Sequence, residues 1–177
     1  ILRVLYVTLG EYRADWQPVI YAIAIATLLT GSLLAIVQTD LKRMLAYSSI
    51  SHAGYLLVGT QAASDQGVKA VLFYLATYAF MAIGSFTVVA INSGDTGIQT
   101  DLNSISGLAT RKPLLAITFT IFLLGQAGIP LTSGFFAKFY VIEAAIEERS
   151  YLLAIIAMIA AVIGAFLYPV SYTHLTL

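Results

Sequence analysis

Residues 113–147 read PLLAITFTIFLLGQAGIPLTSGFFAKFYVIEAAIE. A helix that crosses a bilayer needs about 20 mostly apolar residues, whereas a straight helix of this length would run roughly 50 Å. Gly128, Pro130 and Gly134 interrupt the stretch, and Pro130 has no N–H to donate to the carbonyl of Gln126. We therefore predict one membrane-spanning helix that is broken near its middle, with an ordinary proline kink as the alternative.

Lys138 lies just past this break, among apolar neighbours on both sides. Glu143 is expected to have an exposed position near the helix end. The nearest charge beyond that end is Glu147, which lies roughly 14 Å from Lys138 along the helix at ~1.5 Å per residue. A Lys at the bilayer centre costs on the order of 3 kcal/mol unless it faces a polar interior. Burial disfavours the charged ammonium, so such a group can exchange a proton near neutral pH. We interpret Lys138 as a proton-path residue; the alternative is an interfacial Lys.

The whole chain has the composition of a membrane protein. Of its 177 residues 59% are hydrophobic and 10% charged, against about 25% charged in soluble domains. We predict an all-α, polytopic transmembrane bundle that forms a single membrane domain over residues 1–168. Its predicted spans are 17–38, 41–62, 68–91, 113–145 and 151–168.

Several classes of function are disfavoured by composition. Nine Lys and Arg balance nine Asp and Glu, and no basic cluster resembles a nucleic-acid patch. The chain has no Cys and two His, so Cys-held iron–sulfur clusters are excluded and a metal site is not expected. We therefore expect neither an iron–sulfur cluster nor a metal ion in this chain.

Two further spans carry polar groups at helical spacing. Ser48, His52 and Tyr55 follow i, i+4, i+7 and share one face; a buried His can relay a proton, but such groups also join membrane helices by hydrogen bonds. Tyr74 and Tyr78 share a face of the third span, where they could order a water chain or simply pack. These five residues are predicted as relay or supporting groups.

Two separated motifs resemble a known family. Residues 38–59, QTDLKRMLAYSSISHAGYLLVG, closely resemble the signature of the proton-antiporter membrane family, which contains the antiporter-like subunits of respiratory complex I and the Mrp-type sodium/proton antiporters. Residues 127–141, AGIPLTSGFFAKFYV, are most similar to its subunit-N branch. The resemblance covers nearly the whole chain to about residue 168.

The resemblance implies a fold and site residues. The family fold has fourteen helices that include two inverted five-helix repeats, each with a discontinuous helix, and this chain would be the second repeat. Lys138 matches the lysine of the second broken helix, which the family assigns to its proton path; the sister subunit M typically has Glu there. Tyr78 falls where other branches have a central His. The earlier key groups would lie upstream, so this piece could not pump alone.

The resemblance also implies a function. It predicts a bacterial inner-membrane subunit of NADH-quinone oxidoreductase that couples quinone reduction to proton translocation through a buried lysine and water relay. NADH, FMN, iron–sulfur clusters and quinone would belong to the parent complex, and the partners would be its other membrane subunits, lipid, protons and water. The alternatives are an Mrp-type antiporter or hydrogenase-linked pump subunit, and a non-conducting membrane scaffold.

Residues 169–177 depart from the family pattern, which usually continues with an Arg-containing helix. We interpret this tail as foreign sequence, such as adapter read-through, and assign His174 no function.

Overall fold

The computed structural model describes residues 1–93 and 107–176, with side chains to residue 166. The side chains of the 169–177 tail and most of the segment between the predicted spans 68–91 and 113–145 therefore lie outside the described part. Every regular element in that part is helical, which confirms the all-α class. A π-helical turn and a 3₁₀ turn precede seven helices: α1 (Arg13–Ile36), α2 (Leu41–Gln61), α3 (Asp65–Ser93), α4 (Leu108–Arg111), α5 (Pro113–Ala127), α6 (Ser133–Glu147) and α7 (Tyr151–Thr176).

The surface of the bundle is apolar and its interior holds polar groups, the arrangement of a membrane protein. Among the described residues, the segments Gly10–Ile36 and Asp65–Ser93 are long and apolar enough to cross a membrane, while α5 and the segment Tyr151–Phe166 are shorter apolar helices. Large side chains such as Phe80 and Val162 are 70% and 71% exposed. The buried polar residues are Ser32, Ser48, Ser51, His52, Thr60, Gln61, Ser85, Gln126 and Lys138.

Helix α2 lies at the centre of the bundle, where it packs against α1, α3, α6 and α7. This position explains why α2 tolerates Ser and His although it is less apolar than its neighbours: its side chains face protein instead of lipid. The helix begins at an N-cap in which the Asp40 side chain accepts a hydrogen bond from the Arg43 N–H at 2.9 Å. An Asp at this position satisfies one of the free N–H groups of the first turn.

Three helices begin or end three or more residues outside their predicted spans. Helix α3 begins at Asp65 and not at residue 68, and α7 continues to Thr176 and not to residue 168. Helix α1 begins at Arg13, four residues before the predicted start at residue 17, so Pro18, which a start at 17 would place in the first turn, lies inside the helix. The span 113–145 is formed by α5 and α6, joined by residues 128–132, so the helix is broken where the break was predicted. The short helix α4 precedes α5 in a region for which no helix was predicted.

Candidate proton site at the broken helix

The break between α5 and α6 is a built turn. Gly128 caps the end of α5 with φ +79°, a left-handed conformation that glycine adopts without strain. The Thr132 hydroxyl then donates to the Ile129 carbonyl at 2.7 Å and accepts from the Phe135 N–H at 3.3 Å, which starts α6. The polar groups that the break frees are thus satisfied by local side chains, as a membrane interior requires.

Gly134 allows the two half-helices to approach each other closely. A Cβ atom at this position would overlap the carbonyl oxygen of Gly125. Each of the three residues at the break therefore has its own physical role. Gly128 adopts the left-handed cap, Pro130 lacks an N–H donor, and Gly134 permits the close helix contact.

Lys138 reaches back from α6 to the end of α5. Its Nζ donates to the carbonyls of Gln126 and Ala127 at 2.9 and 2.8 Å. Carbonyls in the last turn of a helix have no partner within the helix, and Pro130 has no N–H to offer the Gln126 carbonyl. The side chain of Lys138 thereby fills the acceptors that the break opens, at the end of α5 where the helix dipole favours a cation.

This geometry suits both protonation states of Lys138. An ammonium has three N–H donors, and a neutral amine retains two, which is the number of carbonyls that Nζ contacts. The residue is 7% exposed, so the charged form is held by these carbonyls and not by bulk water. A group in this position can therefore lose a proton without leaving its place.

Tyr55 lies beside Lys138 and links α2 to α7. Its ring centroid is 5.4 Å from Nζ, within the distance at which an aromatic face attracts a cation. Its hydroxyl donates to the carbonyl of Ala157 at 2.8 Å. The ring therefore contributes to the electrostatic surroundings of Lys138 while the hydroxyl fixes the ring.

His52 is held by two tyrosines of α3. Its Nδ1 lies 2.7 Å from the Tyr74 hydroxyl, and its ring stacks on Tyr78 at a centroid distance of 4.4 Å. The Tyr55 and Tyr74 rings are also stacked, at 5.7 Å. The four aromatic residues predicted from helical spacing thus lie in one cluster between α2 and α3.

A small polar cavity joins the His52 cluster to Lys138. Its volume is about 20 Å³, enough for about one water molecule. Ser48, which was predicted with His52 and Tyr55, is buried and lines this cavity beside them. The other residues that line it are Ser32, Ala35, Ser51, Gln126, Lys138, Ala160 and Gly164.

A second, larger space opens on the other side of Lys138. This groove between α6 and α7 has a volume of about 650 Å³ and runs past Phe139 to Glu143 and Glu147. Glu143, for which an exposed position was expected, is partly buried and accepts a hydrogen bond from Gln66 at 3.2 Å. Lys138 thus lies where the small polar cavity and the groove meet.

Sequence reasoning missed four polar side chains near the site. The hydroxyls of Ser32 and Ser51 are 2.9 Å apart and join α1 to α2. The Gln126 amide donates to the Ser85 hydroxyl at 2.7 Å. The available signal was a polar residue in an otherwise apolar helix, because a buried polar side chain needs a hydrogen-bond partner on another element.

No group of three or more His, Asp or Glu in the described residues could hold a metal ion.

Comparison with known proteins agrees with this architecture. Residues 1–164 match the family described as NADH:quinone oxidoreductase/Mrp antiporter, TM. The chain belongs to this family. The predicted class, a membrane helix bundle of the antiporter-like fold with one discontinuous helix, is thereby confirmed.

Individual members of the NADH:quinone oxidoreductase/Mrp antiporter family show the same likeness. The chain is 45% identical to NADH-quinone oxidoreductase subunit N of Rhodococcus opacus (strain B4) over 95% of its own length and 31% of that protein. A chain of the Mrp complex from Dietzia sp. DQ12-45-1b superposes with TM-score 0.92 at 28% identity, covering 100% of this chain and 33% of the other.

A chain of respiratory complex I from Thermus thermophilus superposes with TM-score 0.78 at 26% identity, over 90% of this chain and 36% of the other. This chain therefore spans about a third of the length of its relatives.

Proposed function

We propose that this chain is part of a membrane subunit of NADH-quinone oxidoreductase, in the bacterial inner membrane, and that it translocates protons through Lys138. The observation that carries the proposal is the position of Lys138: its Nζ is buried on two carbonyls of a broken helix, between a cavity that reaches His52 and an open groove. The name of the Rhodococcus relative, at 45% identity, supports subunit N as the parent.

In the proposed mechanism, Lys138 exchanges its proton with a water molecule in the small cavity. His52 and the Tyr74 hydroxyl, 2.7 Å apart, extend this chain of hydrogen bonds toward α3. The residues lining the cavity with His52 supply hydroxyl groups that can orient the water. Charge or conformational changes in the rest of the complex would shift the balance between the two protonation states of Lys138.

The chain itself supplies no redox chemistry in this proposal. Electron transfer from NADH to quinone would take place in other subunits, which would hold the FMN and iron–sulfur clusters. The other membrane subunits of the complex would be its partners.

The test is to change Lys138 to Met in the full-length parent subunit within its complex. Methionine keeps much of the side-chain volume but neither donates nor titrates, so we expect assembled complex with impaired proton uptake and slowed NADH:quinone turnover in membrane vesicles. Lys69→Met is the matched control, because Lys69 is an exposed lysine near the start of α3. If assembly, turnover and proton uptake all stay unchanged in Lys138→Met, Lys138 has a structural role and the proposal fails.

A second candidate is a subunit of an Mrp-type cation/proton antiporter. The superposition on the Mrp complex chain, with TM-score 0.92 over 100% of this chain, favours this function. The sequence identity favours subunit N, because it is 45% to the Rhodococcus protein and 28% to the Mrp chain. If the chain is part of an antiporter, vesicles without NADH should show sodium-driven proton exchange. If it is part of subunit N, we expect no such exchange.

A further inference from the structure

The side chain of Gln126 tethers the broken end of α5 to α3. Its amide donates to the Ser85 hydroxyl at 2.7 Å and to the Met81 carbonyl at 3.3 Å. Gln126 and Ser85 are 3% and 0% exposed. The backbone carbonyl of the same Gln126 is one of the two acceptors for Lys138, so one residue joins the lysine to a third helix.

The residues that bind the Gln126 side chain lie on the same face of α3 as the two tyrosines that contact His52. Tyr74, Tyr78, Met81 and Ser85 are spaced by four, three and four residues, which places them on one face of α3. The first two contact His52 and the last two hold Gln126. One helix therefore sets both the position of His52 and the position of the acceptors of Lys138.

The last turn of α5 needs a side-chain contact that fixes its orientation. The last turn of a helix lacks intrahelical partners for its carbonyls, and α5 is followed by a turn of five residues that begins with Gly128. An apolar side chain at position 126 could pack against α3 but could not fix the rotation of this last turn. A buried amide with two acceptors does fix it, because any rotation would break hydrogen bonds that buried groups cannot replace with water.

We propose that Gln126 and Ser85 are positioning residues, which hold the end of α5 so that the carbonyls of Gln126 and Ala127 stay on the Nζ of Lys138. This inference rests on the proposed proton-translocating role of Lys138. Without the tether the ammonium loses its fixed acceptors, while the neutral amine loses less, since hydrogen bonds of charged groups are the stronger ones.

Among the described residues, the other ionisable groups that line the spaces around Lys138 or contact His52 come from α2, α3 and α6. His52 and Tyr55 of α2 line the same cavity, with Tyr74 and Tyr78 of α3 behind His52. On α6 itself, Glu143 and Glu147 line the groove. Helix α7 presents Ala160 and Gly164 to the cavity, which do not titrate.

The experiment measures the pH profile of proton uptake in vesicles that contain the assembled parent complex with Gln126→Met or Ser85→Ala. We expect the alkaline limb of the Gln126→Met profile to move about one pH unit lower, as loss of about one hydrogen bond to a charged group would produce. Ser85→Ala should shift it in the same direction by less. The double variant should shift no further than Gln126→Met, because both changes remove the same tether.

Gln17→Met is the matched control. Gln17 also joins two helices through its amide, to the Gln61 carbonyl at 2.8 Å, but that bond lies outside the set of residues around Lys138. This variant should lower the amount of complex at most and leave the pH profile in place.

Lys138→Met, measured alongside, separates the two proposals. If Lys138→Met is impaired and both tether variants keep the wild-type profile, the positioning role is wrong and the proton-path role stands. If Lys138→Met pumps normally, the proposed function fails and the positioning role fails with it. Ser85→Ala keeps the test decisive should Gln126→Met not assemble, since it removes one hydroxyl from a buried site.

Discussion

Replacing Gly128 with Ala should both destabilise the protein and disturb Lys138. At φ +79° an alanine is strained by roughly 1–2 kcal/mol. Its Cβ would also stand 3.0 Å from Cδ and 3.2 Å from Nζ of Lys138, so the lysine must shift by a few tenths of an ångström and we expect it to lose one of its two carbonyl partners. Loss of one hydrogen bond to a charged group adds about 1.5 kcal/mol, for a total of about 3 kcal/mol.

Gly107→Ala separates these two contributions. Gly107 has φ +67°, and among the described residues a Cβ there would meet the Thr110 hydroxyl at an ordinary 3.5 Å, so we expect this variant to carry the backbone strain without a contact to Lys138. The assay is equilibrium unfolding of the parent subunit by SDS in mixed micelles, together with proton uptake of the assembled complex. Equal destabilisation by the two variants, with equal proton uptake, would refute the argued contact between the turn and Lys138.

Two further variants test the packing around the site. Gly134→Ala should destabilise the subunit by about 1–3 kcal/mol, because its Cβ overlaps the Gly125 carbonyl oxygen. Gly10→Ala is the control, since no atom of the described residues lies within 4 Å of a Cβ there, and equal SDS midpoints would contradict the close contact. Tyr55→Phe should lower the free energy of unfolding by about 1–2 kcal/mol, because the buried Ala157 carbonyl loses this donor. Tyr140→Phe is the control and should cost little, since Tyr140 is 39% exposed. A Tyr55→Phe subunit as stable as wild type would show that the bond is dispensable.

Sequence reasoning was sufficient where a single residue type has a strong physical consequence. A proline without an N–H and two glycines within seven residues predict a broken helix, and the structure breaks it between Ala127 and Ser133. Helical spacing likewise placed Ser48, His52 and Tyr55 on one face, and all three line the small cavity.

It was insufficient where the partner lies far along the chain. Gln126 and Ser85 are 41 residues apart, and Ser32 and Ser51 belong to different helices. The first pair meets because α5 packs on α3, and the second because α1 packs on α2. The start of α1 was also not predicted, since Pro18 reads as a first-turn residue but lies inside the helix. The roles of the site residues stay predictions, which the substitutions at Lys138, Gln126 and Ser85 test.

The most direct test of the central claim is Lys138→Arg, with proton uptake measured in vesicles after assembly of the complex has been verified. Arginine retains a cation and several donors for the carbonyls of Gln126 and Ala127, but it does not release its proton in proteins. A relay through Lys138 predicts an assembled complex whose proton uptake is largely lost, while Lys69→Arg remains active. Wild-type proton uptake in Lys138→Arg would contradict the relay, because a fixed charge would then be sufficient.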